Sequence, residues 1–137
     1  MSYQKIGSDG RPFGEPTVAA FLDPKTGLMW ASKDVSSERM TFAEAKRACD
    51  KFNCAGFDDW RLPTIAELET LRDLSRFDPA ADPELGIKPN YYLSSTPAAS
   101  SPGDYAWGVD FDLGDVNAYG QHNTAFVRAV RGSRAGQ

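Results

Sequence analysis

The stretch Trp60-Arg61-Leu62-Pro63-Thr64-Ile65-Ala66-Glu67-Leu68 decides how this chain of 137 residues folds. Thr64 and Glu67 form a capping box: the threonine oxygen accepts from the N–H of Glu67, and the carboxylate accepts from the N–H of Thr64. Pro63 keeps the residue before it extended, so the chain enters the helix from a fixed direction. Arg61 offers five donors that can tie carbonyls or carboxylates together. We therefore interpret the stretch as a structural centre rather than an active site.

Length and composition indicate one domain with its own core. The chain has 137 residues, of which 41% are hydrophobic and 16 are aromatic. A net charge of −4 and a pI near 4.9 argue against a general nucleic-acid binder. No stretch has the length and hydropathy of a transmembrane helix, and residues 1–14 lack the apolar segment of a signal peptide. We therefore expect no nucleic-acid partner, no membrane partner and a cytoplasmic location.

Local patterns predict a mixture of strands and helices. A second capping box, Thr41 with Glu44, opens a helix, and turn residues at 23–27 separate two apolar runs. The predicted elements are strands at 17–22, 28–31, 91–95, 105–113, 116–119 and 125–130, and helices from 42 to about 52 and from 65 to about 74. Residues 105–113 alternate as a half-buried strand does, with Tyr105, Trp107, Val109, Phe111 and Leu113 on the inward face and Ala106, Gly108, Asp110 and Asp112 on the opposite face.

The predicted organisation is one domain with short extensions. Residues 1–16 are predicted to be an arm, residues 17–132 the domain, and residues 133–137 a basic tail. Within the domain, prolines at 79, 83, 89 and 97 interrupt a segment from Arg76 to Pro102 that is poor in regular structure. Loops of this length in a small domain are usually functional or disordered, and the aromatic content indicates an ordered one.

An ordered series of motifs spans this predicted domain. The series is Thr26-Gly27-Leu28-Met29-Trp30, Gly56, Trp60-Arg61-Leu62-Pro63-Thr64, Ser94-Ser95-Thr96, Ala106-Trp107-Gly108-Val109-Asp110-Phe111 and Val127-Arg128-Ala129-Val130-Arg131-Gly132. It resembles the bacterial domain of unknown function at the C-terminus of Legionella collagen-like adhesins, which is related to the C-type-lectin-like fold. The resemblance implies an α+β fold: two helices packed on a twisted antiparallel sheet, a long irregular loop region, and a last strand beside the first.

Two positions depart from the family pattern. Leu93 stands where members often have tryptophan. Ala129 stands where members commonly have a cysteine, which in the family would bond the cysteine of the first helix, here Cys49. A bond between Cys49 and Cys54 requires the helix to end early, because five residues of helix hold the two Cα atoms too far apart. We therefore expect a reduced, intracellular version of a usually exported domain.

The expected ligand surface combines the long loop, the hairpin at 110–117 and the loop at 119–124. Its residues are Tyr91, Tyr92, Tyr105, Asp110, Asp112, Asp115, Asn117, Tyr119 and His122. Aromatic side chains with polar tips suit both protein interfaces and sugar stacking. We predict a non-catalytic recognition module that binds a protein partner, of the kind that phages or mobile elements encode. The alternative, implied by the adhesin relatives, is a lectin-like module for a glycan or glycosaminoglycan.

Four oxygen-bearing residues raise the possibility of calcium. Asp110, Asp112, Asp115 and Asn117 lie within eight residues, and Ca²⁺ takes six to eight oxygen ligands. The spacing is not that of an EF-hand loop, since Gly114 is misplaced and no glutamate follows. Strand alternation also explains two of the aspartates as solvent-facing. We therefore expect no cofactor, with calcium at these four residues as the alternative.

No arrangement of residues predicts catalysis. His122 is the only histidine, which leaves no spare base for a triad or a histidine metal cluster. Cys49 falls on the apolar stripe of a helix, and Cys54 has no evident base beside it. The enzyme branch of the related fold depends on cysteines in its C-terminal half, which this chain lacks. The chain is therefore predicted not to be an enzyme.

The last predicted strand carries two arginines on opposite faces. Alternation groups Arg128 with Phe126 and Val130 and sends Arg131 to the other side. We hypothesise that one of the two arginines is buried against a carboxylate such as Glu67.

Overall fold

The structure of the protein is a computed structural model that describes residues 3–9 and 18–132. Its strands are β1 (Gln4–Gly7), β2 (Val18–Asp23), β3 (Leu28–Ala31), β4 (Tyr91–Pro97), β5 (Tyr105–Asp110), β6 (Asp115–Gly120) and β7 (Val130–Gly132). Its helices are α1 (Phe42–Asp50) and α2 (Ile65–Glu69), with a 3₁₀ turn at Pro83–Leu85.

Two antiparallel sheets form the scaffold. The first has the strand order β1-β2-β3-β7 and the second the order β4-β5-β6, and both helices contact the second sheet. This arrangement confirms the predicted α+β class. It differs from the expectation in having two sheets rather than one, and its last strand pairs with β3 instead of the first strand of the hairpin.

Part of the predicted arm belongs to the first sheet. Gln4–Gly7 is strand β1 and pairs along its length with β2, so these four residues are not a loose lead-in. Ile6 lies in the core at 2% exposure, which gives this strand an apolar anchor. The described residues leave out positions 1–2 and 10–16 of the predicted arm, position 17 of the predicted first strand, and the predicted basic tail at 133–137.

The segment predicted as a strand at 125–130 is extended but is not one regular strand. Only Val130 belongs to β7, and the preceding backbone groups bond to several separate segments of the chain. The physical reason is that the segment runs between two apolar clusters. Val127 and Ala129 enter one cluster, and Phe126 and Val130 face the other.

Strand β5 is covered on both faces, which corrects the predicted alternation. Ala106 and Gly108, predicted to face solvent, are buried, whereas Tyr105 and Leu113, predicted to face inward, are 47% and 60% exposed. Each face of the sheet meets a different cluster: Ala106 lies in the first and Val109 in the second. A pattern with one buried face therefore does not describe this strand.

The second helix ends at Glu69, earlier than the predicted end near Leu74. The hydroxyl of Thr70 donates to a carbonyl of the last turn, and the following N–H groups donate three residues back, which tightens the turn. The N–H of Asp73 then donates to the carbonyl of Ala80. This bond begins the loop that runs over the end of the second sheet. Helix α1 likewise ends two residues earlier than predicted.

Both predicted capping boxes are formed. Thr41 and Thr64 each accept from the N–H three residues on, where Glu44 and Glu67 accept from the cap N–H in return. The carboxylate of Glu67 also receives Arg61 in a bidentate pair at 2.7 and 2.8 Å. Burial acts to raise the pKa of Glu67, but hydrogen bonds from Arg61 and Thr64 outweigh it and hold the pKa below the ordinary value.

The stretch before α2 joins the two sheets. Arg61 exchanges backbone hydrogen bonds with Val130 of β7, and the carbonyl of Pro63 accepts from the N–H of Ser95 in β4. The direction in which the chain enters α2 is therefore fixed from both sides. This geometry confirms the stretch as a structural centre.

The two threonine caps are expected to differ in their contribution to stability. Thr64→Ala should lower the free energy of unfolding by about 1–2 kcal/mol, because it removes the cap acceptor beside the Arg61–Glu67 pair. Thr41→Ala, in a more exposed box, should cost about 1 kcal/mol or less. Urea unfolding of both variants measures the difference, with Thr64→Ser as the control that keeps the hydroxyl. A larger cost at Thr41 than at Thr64 would contradict this ranking.

Candidate functional site

Tyr91 and Tyr92 belong to the core and not to the predicted contact surface. The Tyr91 ring packs against Gly108, and its hydroxyl donates to the carbonyl of Asn117 at 2.7 Å. The hydroxyl of Tyr92 donates to Asp34 at 2.9 Å, and its ring is fully buried. Burial raises the pKa of both phenols. Their polar tips serve the fold, which a strand pattern alone does not reveal.

The remaining predicted residues are divided between the two ends of the second sheet. Tyr105 pairs with Gly120 at one end, and Asp110 pairs with Asp115 at the other. Five residue steps of a strand separate these ends by about 17 Å. The residues predicted to form one ligand surface therefore lie on two separate surfaces. The 119–124 loop, with exposed His122, lies at the Tyr105 end.

At the Tyr105 end, the aromatic side chains are only partly available. Tyr119 is half-buried, and its ring lies 4.1 Å from that of Tyr91, measured between centroids. Among the described residues, Tyr105 is the one large hydrophobic side chain there with substantial exposure. Gln121 ties the loop to the sheet through its amide, which donates to the carbonyls of Pro102 and Tyr105.

The other end carries exposed apolar side chains. We name this surface the hairpin-end patch and define it by Leu74, Phe77, Asp78, Leu113 and the two hairpin aspartates Asp112 and Asp115. Leu74, Phe77 and Leu113 are 70%, 72% and 60% exposed, and they are three of the five large hydrophobic residues exposed in the described part of the chain. Exposed apolar side chains that gather in one place mark interaction sites.

Backbone hydrogen bonds bring the two halves of the hairpin-end patch together. The N–H of Asp78 donates to the carbonyl of Asp112 at 2.7 Å, and the N–H of Ala80 donates to the carbonyl of Phe111. These bonds hold the loop at 73–80 against the β5–β6 turn. Leu74 lies so close to Gly114 that an added Cβ there would stand 2.9 Å from its Cδ2 atom. Because φ at Gly114 is also +92°, glycine is required at this turn.

The second sheet holds the chain's excess of negative charge. Residues 89–127 contain four aspartates, Asp104, Asp110, Asp112 and Asp115, and no lysine or arginine. The whole chain has 19 acidic and 15 basic residues, so the remainder has fifteen of each and is neutral. The overall composition does not show this uneven distribution of charge. The absence of lysine and arginine from residues 89–127 is visible in the sequence.

The carboxylates of the hairpin-end patch are available for a partner. Among the described residues, no ion pair involves Asp78, Asp112 or Asp115. The nearby cations are already engaged: Arg72 bonds Glu69 and the carbonyl of Gly114, and Arg76 bonds Asp73. The patch therefore combines apolar side chains with uncompensated negative charge.

The hairpin aspartates do not assemble into a metal site. In the described residues, no group of three or more His, Cys, Asp or Glu side chains has the geometry to hold a metal ion. Asp110 instead uses one carboxylate oxygen to accept from the N–H of Asp112, as a local turn contact. The calcium alternative at the four residues therefore gains no support from their arrangement.

A cleft elsewhere in the domain shares no residue with the hairpin-end patch. It is a cleft of about 370 Å³ lined by serines at 32, 36 and 37 together with Lys33, Asp34, Lys88 and Arg128. No sequence pattern predicted this cleft. Its central carboxylate, Asp34, is occupied: it accepts from Lys88 at 2.6 Å, from the Tyr92 hydroxyl and from Arg128. The cleft therefore covers a structural network.

Arg128 is the buried arginine, and Asp34 is its partner. The guanidinium is 2% exposed and lies 2.9 Å from the Asp34 carboxylate. It also donates to the carbonyls of Ala31, Leu85 and Gly86. The hypothesis of a buried arginine is confirmed, but Glu67 is the wrong carboxylate. The alternation of side chains along the segment predicts that one arginine is buried. It cannot identify the partner of Arg128, because Asp34 lies 94 residues away in the sequence.

The two thiols lack the environment of nucleophiles. Cys49 and Cys54 are both free, and burial raises the pKa of Cys49 to about 12 and that of Cys54 above its ordinary value. The Cys54 thiol donates to the carbonyl of Ala19 at 3.2 Å. Nucleophilic cysteines need a lowered pKa, so neither thiol is a candidate.

The two arginines of the last segment are expected to differ greatly in importance. Arg128→Met should lower the free energy of unfolding by about 3–5 kcal/mol, because it leaves Asp34 buried without its cation. Arg131→Met should cost about 1 kcal/mol or less, because Arg131 pairs with the exposed Asp59. Urea unfolding tests both, and equal costs for the two variants would contradict the burial argument.

The fold and its exposed patch define an α+β domain with the features of a binding module. A family model for the Lcl C-terminal domain matches residues 19–131. The chain belongs to this family. Membership indicates a binding or adhesin-like module. The comparison with curated proteins finds no match. In the described part of the chain, no helix has the length and apolar character needed to cross a membrane.

Proposed function

We propose that this domain is a non-catalytic recognition module that binds a protein partner through the hairpin-end patch. The observation that carries the proposal is the coincidence of three exposed apolar side chains with three aspartates that form no ion pair in the described residues. Apolar anchors that enter a partner's pockets supply most of the binding energy of an interface. Charges around them direct encounter and select the partner. The partner surface would therefore be basic with apolar pockets.

A protein partner fits the patch better than a sulfated glycan does. Glycosaminoglycans are polyanions, and the second sheet carries four carboxylates without a lysine or arginine in residues 89–127. Like charges that face each other across an interface are unfavourable. The side chains most exposed there, Leu74, Phe77 and Leu113, also offer no hydrogen bonds to sugar hydroxyls.

The proposal requires no chemistry from the domain. Burial raises the pKa of both thiols, and His122 is exposed on a loop. A cytoplasmic location remains a prediction, and the two free cysteines suit a reducing compartment.

Serine substitution of the apolar anchors tests the function. Phe77→Ser and Leu113→Ser should each reduce capture of a specific protein from host lysate at least tenfold, since truncation of an interface anchor commonly costs about 2 kcal/mol. Both side chains are exposed, so stability should change by no more than about 0.5 kcal/mol. Val18→Ser is the matched control, because Val18 is an exposed apolar residue on the first sheet.

Salt and calcium separate the two classes of partner. Capture by the unmodified domain should weaken as salt rises and should be the same in calcium and in chelator. Equal capture by Phe77→Ser, Leu113→Ser and the unmodified domain would overturn the assignment of the patch. Retention of a glycan in calcium only, with no protein captured, would favour the lectin-like alternative.

A further inference from the structure

Strand β6 is an open edge of the second sheet. The strand order β4-β5-β6 leaves the outer side of β6 without a neighbouring strand in the described part of the chain. Asn117 and Ala118 are exposed along it. The opposite edge, strand β4, is covered by the chain around Phe126. The N–H of Leu93 donates to the carbonyl of Phe126, and the N–H of Phe126 donates to the carbonyl of Tyr91. One edge of this sheet is therefore covered and the other is available.

The ladder between β5 and β6 shows which backbone groups point outward. The Trp107 carbonyl points toward β4, where it accepts from the Ser94 hydroxyl. It therefore points away from Ala118, the residue of β6 that pairs with Trp107 in the register. The N–H of Gln121 donates to the carbonyl of Asp104 and so faces β5. Gln121 lies three positions after Ala118, an odd number, so the alternation again turns Ala118 away from β5. In an antiparallel ladder, alternate residues turn their N–H and C=O away from the neighbouring strand. Those residues in β6 are Val116, Ala118 and Gly120, and the carbonyl of Gly120 already accepts from the N–H of Asn123.

The edge also lacks the usual protection against strand addition. Exposed edges are commonly blocked by lysine, proline or a bulge. Strand β6 has no lysine and no proline, and all six of its pairs with β5 are in continuous register. Its one charged residue is Asp115, at the end that joins the hairpin-end patch. Such an edge is suited to accept an extended peptide.

The two faces beside the edge define the side chains of that peptide. Val116 and Ala118 lie on one face, where Val116 packs against the core. Asp115 and Asn117 lie on the other face, together with Tyr119, because successive side chains of a strand alternate. A strand added here places alternate side chains beside Val116 and Ala118 on one face and, on the other, beside Asp115, the one charged residue of the strand, Asn117 and Tyr119. Directly opposed side chains pair best when apolar meets apolar and cation meets anion.

We propose that β6 binds an extended segment of a basic partner protein by antiparallel strand addition, with apolar and basic residues alternating along the segment. The apolar residues lie beside Val116 and Ala118, and the basic residues lie beside Asp115. The charge of the sheet supports this occupant, since no lysine or arginine of residues 89–127 competes for the carboxylates. This inference rests on the proposed function, because it extends the hairpin-end patch along the adjoining strand.

Two N-methylated peptides test the strand geometry. The probe is a blocked seven-residue peptide of alternating lysine and valine, and its binding is measured by fluorescence anisotropy. In the proposed pairing, valine N–H groups face β6 and lysine N–H groups face away. Methylation of the valine amides should therefore weaken binding at least about tenfold, whereas methylation of the lysine amides should leave it unchanged. With three amides methylated in each, the two peptides have the same composition and charge.

A protein variant gives the reciprocal test. Ala118→Pro removes an outward N–H without removing a bond to β5, so it should weaken binding of the lysine-methylated peptide about tenfold. Ala118→Thr keeps the N–H and should bind normally. Equal binding of both methylated peptides would overturn strand addition in favour of charge attraction alone. Absence of binding by the unmethylated peptide at millimolar concentration would overturn the partner chemistry. A dimer that Ala118→Pro dissociates would identify a second copy as the occupant and overturn the proposal.

These experiments distinguish a failure of the strand-addition inference from a failure of the proposed function. If Phe77→Ser and Leu113→Ser lower protein capture while Ala118→Pro does not, the patch binds the partner and the edge inference is wrong. If the peptide results hold but the two serine variants capture protein normally, the edge is the binding element and the patch assignment is wrong.

Discussion

The ion pair between Arg128 and Asp34 is the interaction on which the rest of the structure depends. The guanidinium joins the end of β3, the 3₁₀ turn at Pro83–Leu85 and the loop that carries Asp34, while Tyr92 brings β4 to the same carboxylate. Both side chains are almost fully buried, so removal of either one leaves the other as a buried, unpaired charge. The free energy of unfolding should then fall by a large amount. The two sheets are held at a common point by this network.

The structural network and the proposed binding surface lie in different parts of the domain. The Arg128–Asp34 pair connects β3, the 3₁₀ turn and β4, and the Arg61–Glu67 pair closes the second capping box. The unpaired carboxylates lie at the end of the second sheet, beside Leu74, Phe77 and Leu113. A scaffold whose charges are internally satisfied leaves its exposed loops able to vary, which is how binding modules commonly separate stability from function.

The sequence predicts those features that depend on neighbours along the chain. Both capping boxes and the hairpin after Asp110 involve residues three to five apart, and their residue types identify them. The division into two sheets and the pairing of Arg128 with Asp34 depend on distant contacts, so no local pattern reveals them. The anchors Leu74 and Phe77 escaped prediction, because α2 was expected to continue to 74 and the loop after it offered no periodicity.

The most direct test of the account is hydrogen–deuterium exchange of the domain, free and bound to its captured protein partner. We predict that binding slows exchange in residues 72–80 and 111–120, which form the hairpin-end patch and strand β6. Exchange around the cleft at 32–37 and 86–88 should be unchanged. Slowed exchange confined to that cleft, with no change at the hairpin end, would contradict the account and make the polar cleft the recognition site.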